Sequence, residues 1–120
     1  MTSQGHPYAI FRRALDNGNL ASAMSSASDL DHVGLADALE LCLLIRDRES
    51  KRLEQALLRW HARYCREVRG VGLGEAAAVL SLLSLLVGPS PGPAAQGLAE
   101  LFGRRELVPA GEVLVRWANR

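Results

Sequence analysis

The pattern of apolar and polar positions is helical almost from end to end. Pro7 suits a first helical position, and Tyr8, Phe11, Ala14 and Leu15 follow at helical spacing up to Asn17-Gly18, a pair that tolerates the left-handed turn closing a helix. Asn19 is placed to cap a second helix from Leu20 to about Ser28, with Leu20, Ala23, Met24 and Ala27 as its apolar positions. This helix is weak, because it is rich in serine. A third helix, from about Leu35 to Arg48, is apolar nearly all round, which predicts burial at the centre. Arg46 to Glu49 marks a polar turn, with Ser50 as a cap for the next helix.

The fourth helix, from about Lys51 to Arg69, has the clearest period. At about 100° per residue, Leu53, Ala56, Leu57, Trp60, Tyr64 and Val68 share one face. Arg52, Arg59, Arg63 and Arg66 form a narrow stripe beside it. Gly70 ends the helix. A fifth helix from about Gly74 to Val87 places Gly74, Ala77, Ala78, Ser81, Ser84 and Gly88 on one side, where small side chains let another backbone come close. Leu80, Leu83 and Leu86 are expected to point elsewhere, into the core. The proline- and glycine-rich run from Gly88 to Pro93 interrupts regular structure. A sixth helix to about Arg104 follows, then a short last helix from Pro109 with Val113, Leu114 and Trp117 on one side.

These elements predict an all-α fold: an irregular bundle of six to seven helices arranged as hairpins, first with second, third with fourth, fifth with sixth. Residues 14–23 have the look of a tetratricopeptide-type turn, so the first half is expected to be partly solenoid-like. No strict repeat period runs along the chain. Residues 1–6 read as a disordered tail and 7–120 as one helical domain, in keeping with a length of 120 residues.

Composition sharpens this picture. Hydrophobic residues make up 48% and aromatic residues 5%. The apolar content is mainly Leu and Ala, which favour helices; β-branched residues, which fill sheets, are few. The net charge is +1, which disfavours a protein built to coat nucleic acid. Lys51 is the only lysine among the basic side chains. The longest apolar stretch, Ala76 to Val87, is too short for a bilayer, which needs roughly 20 residues. With no secretory leader evident at the N-terminus, a cytoplasmic protein with reduced cysteines is expected.

One resemblance can be drawn, over Ala14 to Arg63. It rests on Ala14-Leu15 followed by Gly18-Asn19-Leu20, on Asp37 to Ile45, and on Arg59-Trp60 followed by Arg63. This run resembles small Ala/Arg-rich all-helical proteins of actinobacteria, a group of uncharacterised function. The resemblance implies a helical fold and no reaction or cofactor.

Candidate chemistry is sparse. His61 and Cys65 are four residues apart on one helical face, and such a pair can activate a thiolate. A half-buried cysteine beside a surface histidine is the simpler reading. The two could join Cys42 around zinc, but structural zinc takes four ligands, usually from close-spaced pairs, and none occurs. Gly70, Gly72 and Gly74 precede a helix without the strand or the Lys-Ser/Thr of a phosphate loop. Asp37 and Glu40 read as a minor polar edge. No catalytic residue, metal or cofactor is therefore expected.

Two surfaces remain. The stripe Arg52, Arg59, Arg63 and Arg66 could grip phosphates or an acidic partner, although a solvated helix face is the simpler explanation. Val113, Leu114 and Trp117 could contact a partner, or dock on the chain's own core. The expected function is a non-enzymatic helical interaction or assembly module. It would bind another protein, or itself as a homo-oligomer through the small-residue face of the fifth helix. The alternative is a nucleic-acid-associated regulator using the arginine stripe. No membrane partner is expected.

Overall fold

The computed structural model describes residues 5–120. Seven α-helices form among them: α1 (Gly5–Asp16), α2 (Leu20–Ser28), α3 (Leu35–Arg48), α4 (Leu53–Glu67), α5 (Leu73–Val87), α6 (Gly92–Arg104) and α7 (Val108–Ala118). The fold is the all-α bundle that the periodicity predicts. No helix among the described residues is long and apolar enough to cross a membrane.

Local signals account for most of the boundaries. Gly18 adopts φ +68° after α1, a conformation that costs an L side chain. The Asn19 side chain accepts a hydrogen bond from the Ser22 N–H at 3.1 Å and so caps α2. α4 ends at Glu67, with extended Val68 as its C-cap, so the left-handed Gly70 (φ +79°) lies in the following turn rather than stopping the helix after Arg69. Three other boundaries differ from expectation. α1 begins at Gly5, so Gly5 and His6 are helical rather than part of a tail; the rest of that tail lies outside the described residues. Ser50–Arg52 form a separate 3-10 turn ahead of α4. After α6, Glu106 takes φ 60°, a left-handed position held by a residue other than glycine.

Neighbouring helices pair as the expected hairpins, and α7 folds back on both α6 and α3. That last contact closes the bundle, and no local pattern announces it. The main core draws on α3 to α7. Trp60 and Tyr64 of α4 stack at 5.6 Å between ring centroids, and both touch Phe102 of α6. The Trp60 indole N–H donates to the Leu35 carbonyl at 2.9 Å, so this large buried ring keeps its polar atom satisfied. A smaller cluster of Phe11, Ala14, Leu15, Ala23 and Leu44 lies under α1 and α2, and Leu20 and Leu41 pack against both clusters. Ser26 of α2 is buried as well; its hydroxyl donates back to the Ser22 carbonyl at 2.6 Å.

Candidate functional site

The arginine stripe is divided by the fold. Arg52 sits in the 3-10 turn and pairs with Glu49 at 3.2 Å, both largely exposed. Arg63 is held on two sides. Its guanidinium donates to the Val33 carbonyl at 2.6 Å, in the segment between α2 and α3, and to Glu67 at 2.7 Å on its own helix. The Arg63 guanidinium in turn holds the Glu67 carboxyl below its usual range. Arg59 and Arg66 are exposed, and no ion pair among the described residues engages them. Two of the four arginines are therefore free, and one is a tertiary tie.

The histidine and cysteine of α4 face α5. His61 Nε2 lies 2.8 Å from the Ala76 carbonyl, which fixes the ring by a structural hydrogen bond. Cys65 Sγ is 3.8 Å from Nε2 and 4.0 Å from Nδ1. Cys42 is buried within α3, and burial pushes its thiol up to about 12. No group of three His, Cys, Asp or Glu side chains among the described residues could hold a metal ion.

Asp37 and Glu40 turn out to grip an arginine. Arg12 of α1 reaches Asp37 at 3.1 Å, Glu40 at 2.8 Å and Asp16 at 2.7 Å. The Tyr8 hydroxyl donates to Asp37 at 2.8 Å. Together these groups clamp α1 to α3, and hydrogen bonding to Glu40 raises the Arg12 pKa further. A second network joins α4, α5 and the α6–α7 turn. The Tyr64 hydroxyl donates to Glu75 at 2.5 Å, Arg105 approaches Glu75 at 3.0 Å, and Arg105 also donates to the Arg69 carbonyl. Sequence reasoning located neither network, because its partners lie far apart along the chain.

The C-terminal trio does not stay together at the surface. Val113 and Leu114, expected as candidates for partner contact, are core residues, 5% and 0% exposed. Trp117 is half-buried; its indole N–H donates to Asp47 at 3.3 Å and the Arg46 guanidinium lies 5.4 Å from its ring. Arg46 also donates to the Leu86 and Gly88 carbonyls, which satisfies acceptors at the α5 C-terminus and anchors that helix. Beside Trp117 a crevice of about 330 Å³ runs past Asp16, Asp47, Arg48 and Arg120. Arg120 and Asp47, 3.5 Å apart, pair within it.

The surface that stands out is the outer face of α5. Leu80, expected in the core, is 40% exposed, while Leu83 and Leu86 are buried as expected. The helix packs inward through Val79, Leu83 and Leu86 and leaves Leu73, Leu85 and Val87 to solvent; Leu73 is 91% exposed. Ala77, Ala78, Ser81 and Ser84 are also exposed. Leu58 of α4 extends this face, and a groove of about 310 Å³ runs between α4 and α5 past Glu54, Leu58, Leu80, Ser84 and Val87. No charged residue occurs between Glu75 and Glu100, and Glu75 is turned inward to Tyr64. The missed signal was present in the sequence. Leu73, Ala77, Leu80, Ser84 and Val87 are spaced four, three, four and three residues apart, the interval of a helix-pairing seam.

Among the described residues, fold and surface together define a seven-helix bundle in which α5 opens an uncharged, apolar face to solvent. Comparison with known proteins finds no matching family model, curated protein or solved structure.

Proposed function

We propose that this chain is a non-enzymatic helical interaction and assembly module that works through the outer face of α5 and the adjoining edge of α4. The observation that carries this reading is the exposed seam from Leu73 to Val87. Contiguous exposed apolar surface rimmed by polar residues marks a binding surface more often than isolated apolar side chains do. Two of the groups that α4 could offer to chemistry or to phosphate are already engaged within the chain, which supports the same reading: His61 is bonded to a backbone carbonyl and Arg63 to Val33 and Glu67. An exposed apolar helix face suits recognition by helix-to-helix packing.

The test is a photoreactive phenylalanine analogue in place of Leu80, with the same analogue at exposed Ser25 of α2 as control. Irradiation of cells should yield a discrete covalent adduct from position 80 and none from position 25. Equal, diffuse labelling from both positions would overturn the proposal. The nucleic-acid alternative is tested by a mobility shift. It requires binding that weakens steeply with salt and is lost in the Arg59→Glu/Arg66→Glu variant.

A further inference from the structure

The seam on α5 has a geometry that selects its occupant. Leu73, Ala77, Leu80, Ser84 and Val87 lie within one stripe at about 100° per residue, and all five are exposed. Large and small side chains alternate: Leu, Ala, Leu, Ser, Val. An antiparallel helix of the same sequence, related by a twofold axis at Leu80, would set Leu80 against Leu80 and Leu73 against Val87, with the small Ala77 and Ser84 meeting one residue (about 1.5 Å) out of direct opposition. Such an interface is self-complementary, which a symmetric dimer requires. A charge on the axis of such a patch would meet its own like, and one near the axis would stay close to its copy. This seam carries none, because α5 has only Glu75, and that carboxylate faces Tyr64 and Arg105 within its own chain.

The surroundings set the direction. The N-cap of α5 is Gly72, which has no side chain to satisfy the first N–H groups of the helix, and no side-chain cap bond is made there. The opposite end of the seam, at Val87, shares its groove with Glu54. Antiparallel pairing therefore carries the open N-terminus of each α5 towards the second copy's Glu54, a carboxylate beside a positive helix end. It also presents Leu73, the most exposed of the large apolar side chains, to the groove past Leu58, Leu80 and Val87. A parallel arrangement would align the helix dipoles, bring the two Glu54 carboxylates to the same end and leave both N-termini open.

From these observations we infer that the partner of the α5 face is a second copy of this chain, joined in an antiparallel α5–α5 homodimer with Leu80 on the twofold axis. The inference rests on the reading of α5 as the interaction surface and adds the identity of what covers it. The five seam side chains with Leu58 and Glu54 fall well short of the roughly 20–30 residues a side of a standard interface. The dimer is accordingly a weak one, formed and dissolved across the micromolar range.

Sedimentation equilibrium of the pure full chain, from micromolar to millimolar concentration, tests this. The wild type should move from monomer to dimer with no larger species. Leu80→Glu should raise the dissociation constant by about a hundredfold or more, through like charges on the axis. Leu73→Glu, at a site 91% exposed in the monomer, should weaken the dimer without any change in helical circular dichroism. Val87→Lys should do the same. The Leu73→Glu/Val87→Lys double variant should recover most of the lost association, because only antiparallel pairing brings these two positions together. A wild type that stays monomeric throughout overturns the inference, as does a dimer insensitive to Leu80→Glu or a double variant without recovery. The two readings fail separately. A monomeric wild type whose position 80 still crosslinks to a different protein in cells refutes self-pairing alone; a monomeric wild type that gives no adduct refutes both.

Discussion

Truncating Arg63 to alanine separates a tertiary tie from a surface charge. The guanidinium makes two kinds of contact. Its bond to the Val33 carbonyl, at 2.6 Å, joins α4 to the segment between α2 and α3. A hydrogen bond with one charged partner contributes about 1.5–3 kcal/mol, and the carbonyl left behind is only half-buried, which favours the lower end. The pair with Glu67 is an i,i+4 contact whose side chains are 23% and 36% exposed, so solvent screening holds it to about 0.3–0.5 kcal/mol. Alanine is slightly the better helix former, which returns a few tenths. Arg63→Ala should therefore destabilise the fold by about 2 kcal/mol, while Arg59→Ala, which breaks no ion pair, stays within about 0.5 kcal/mol. Urea unfolding followed by tryptophan fluorescence measures both, with an unchanged denaturant slope as the check on cooperativity. The acid limb gives a second handle. Glu67 has a folded pKa below its unfolded value, so its contribution is complete above the unfolded pKa and disappears as pH falls through the folded one. In strong acid the gap between wild type and Arg63→Ala should shrink by the Glu67 share and keep the Val33 share. Equal stability of the Arg63→Ala and Arg59→Ala proteins at neutral pH would refute the assignment and return Arg63 to the free stripe.

Three further outcomes follow from the same structure. Tyr64→Phe removes the hydroxyl that donates to Glu75 and should cost about 1–2 kcal/mol in urea unfolding; burial, then the Glu75 bond, raises the Tyr64 pKa, so its stabilisation is present below pH 10 and lost as alkali reaches the folded value, and ultraviolet titration should show Tyr64 ionising only with unfolding. Gly18→Ala forces a side chain into φ +68° and should cost about 1–2 kcal/mol by thermal unfolding; the nearby Arg48 guanidinium, 2.9 Å from the added carbon, can swing aside. Under native conditions a maleimide should label half-buried Cys65 first and reach Cys42, buried with its thiol near 12, only in denaturant, as mass spectrometry of digests would show.

The number of helices, their approximate limits and their pairing into hairpins were legible in the chain. Each depends on a local signal: the 3.6-residue period of α4, the Asn19 cap, the left-handed glycine at 18. The inward face of α4 was equally legible, since its apolar and charged positions are well separated around the helix. For α5 the same reasoning misplaced Leu80. The leucines of its second half, at 80, 82, 83, 85 and 86, point in nearly every direction, so its own periodicity singles out no buried side. Val79, Leu83 and Leu86 are inside because α4 and α6 pack there, and Arg46 holds the helix end in place from α3. The fates of Arg12, Arg63 and Glu75 were likewise tertiary decisions, because each meets a partner on another element that spacing along one helix cannot reveal. A sequence period states which side chains share a face; which of several apolar faces leaves water depends on the neighbours that arrive to cover it.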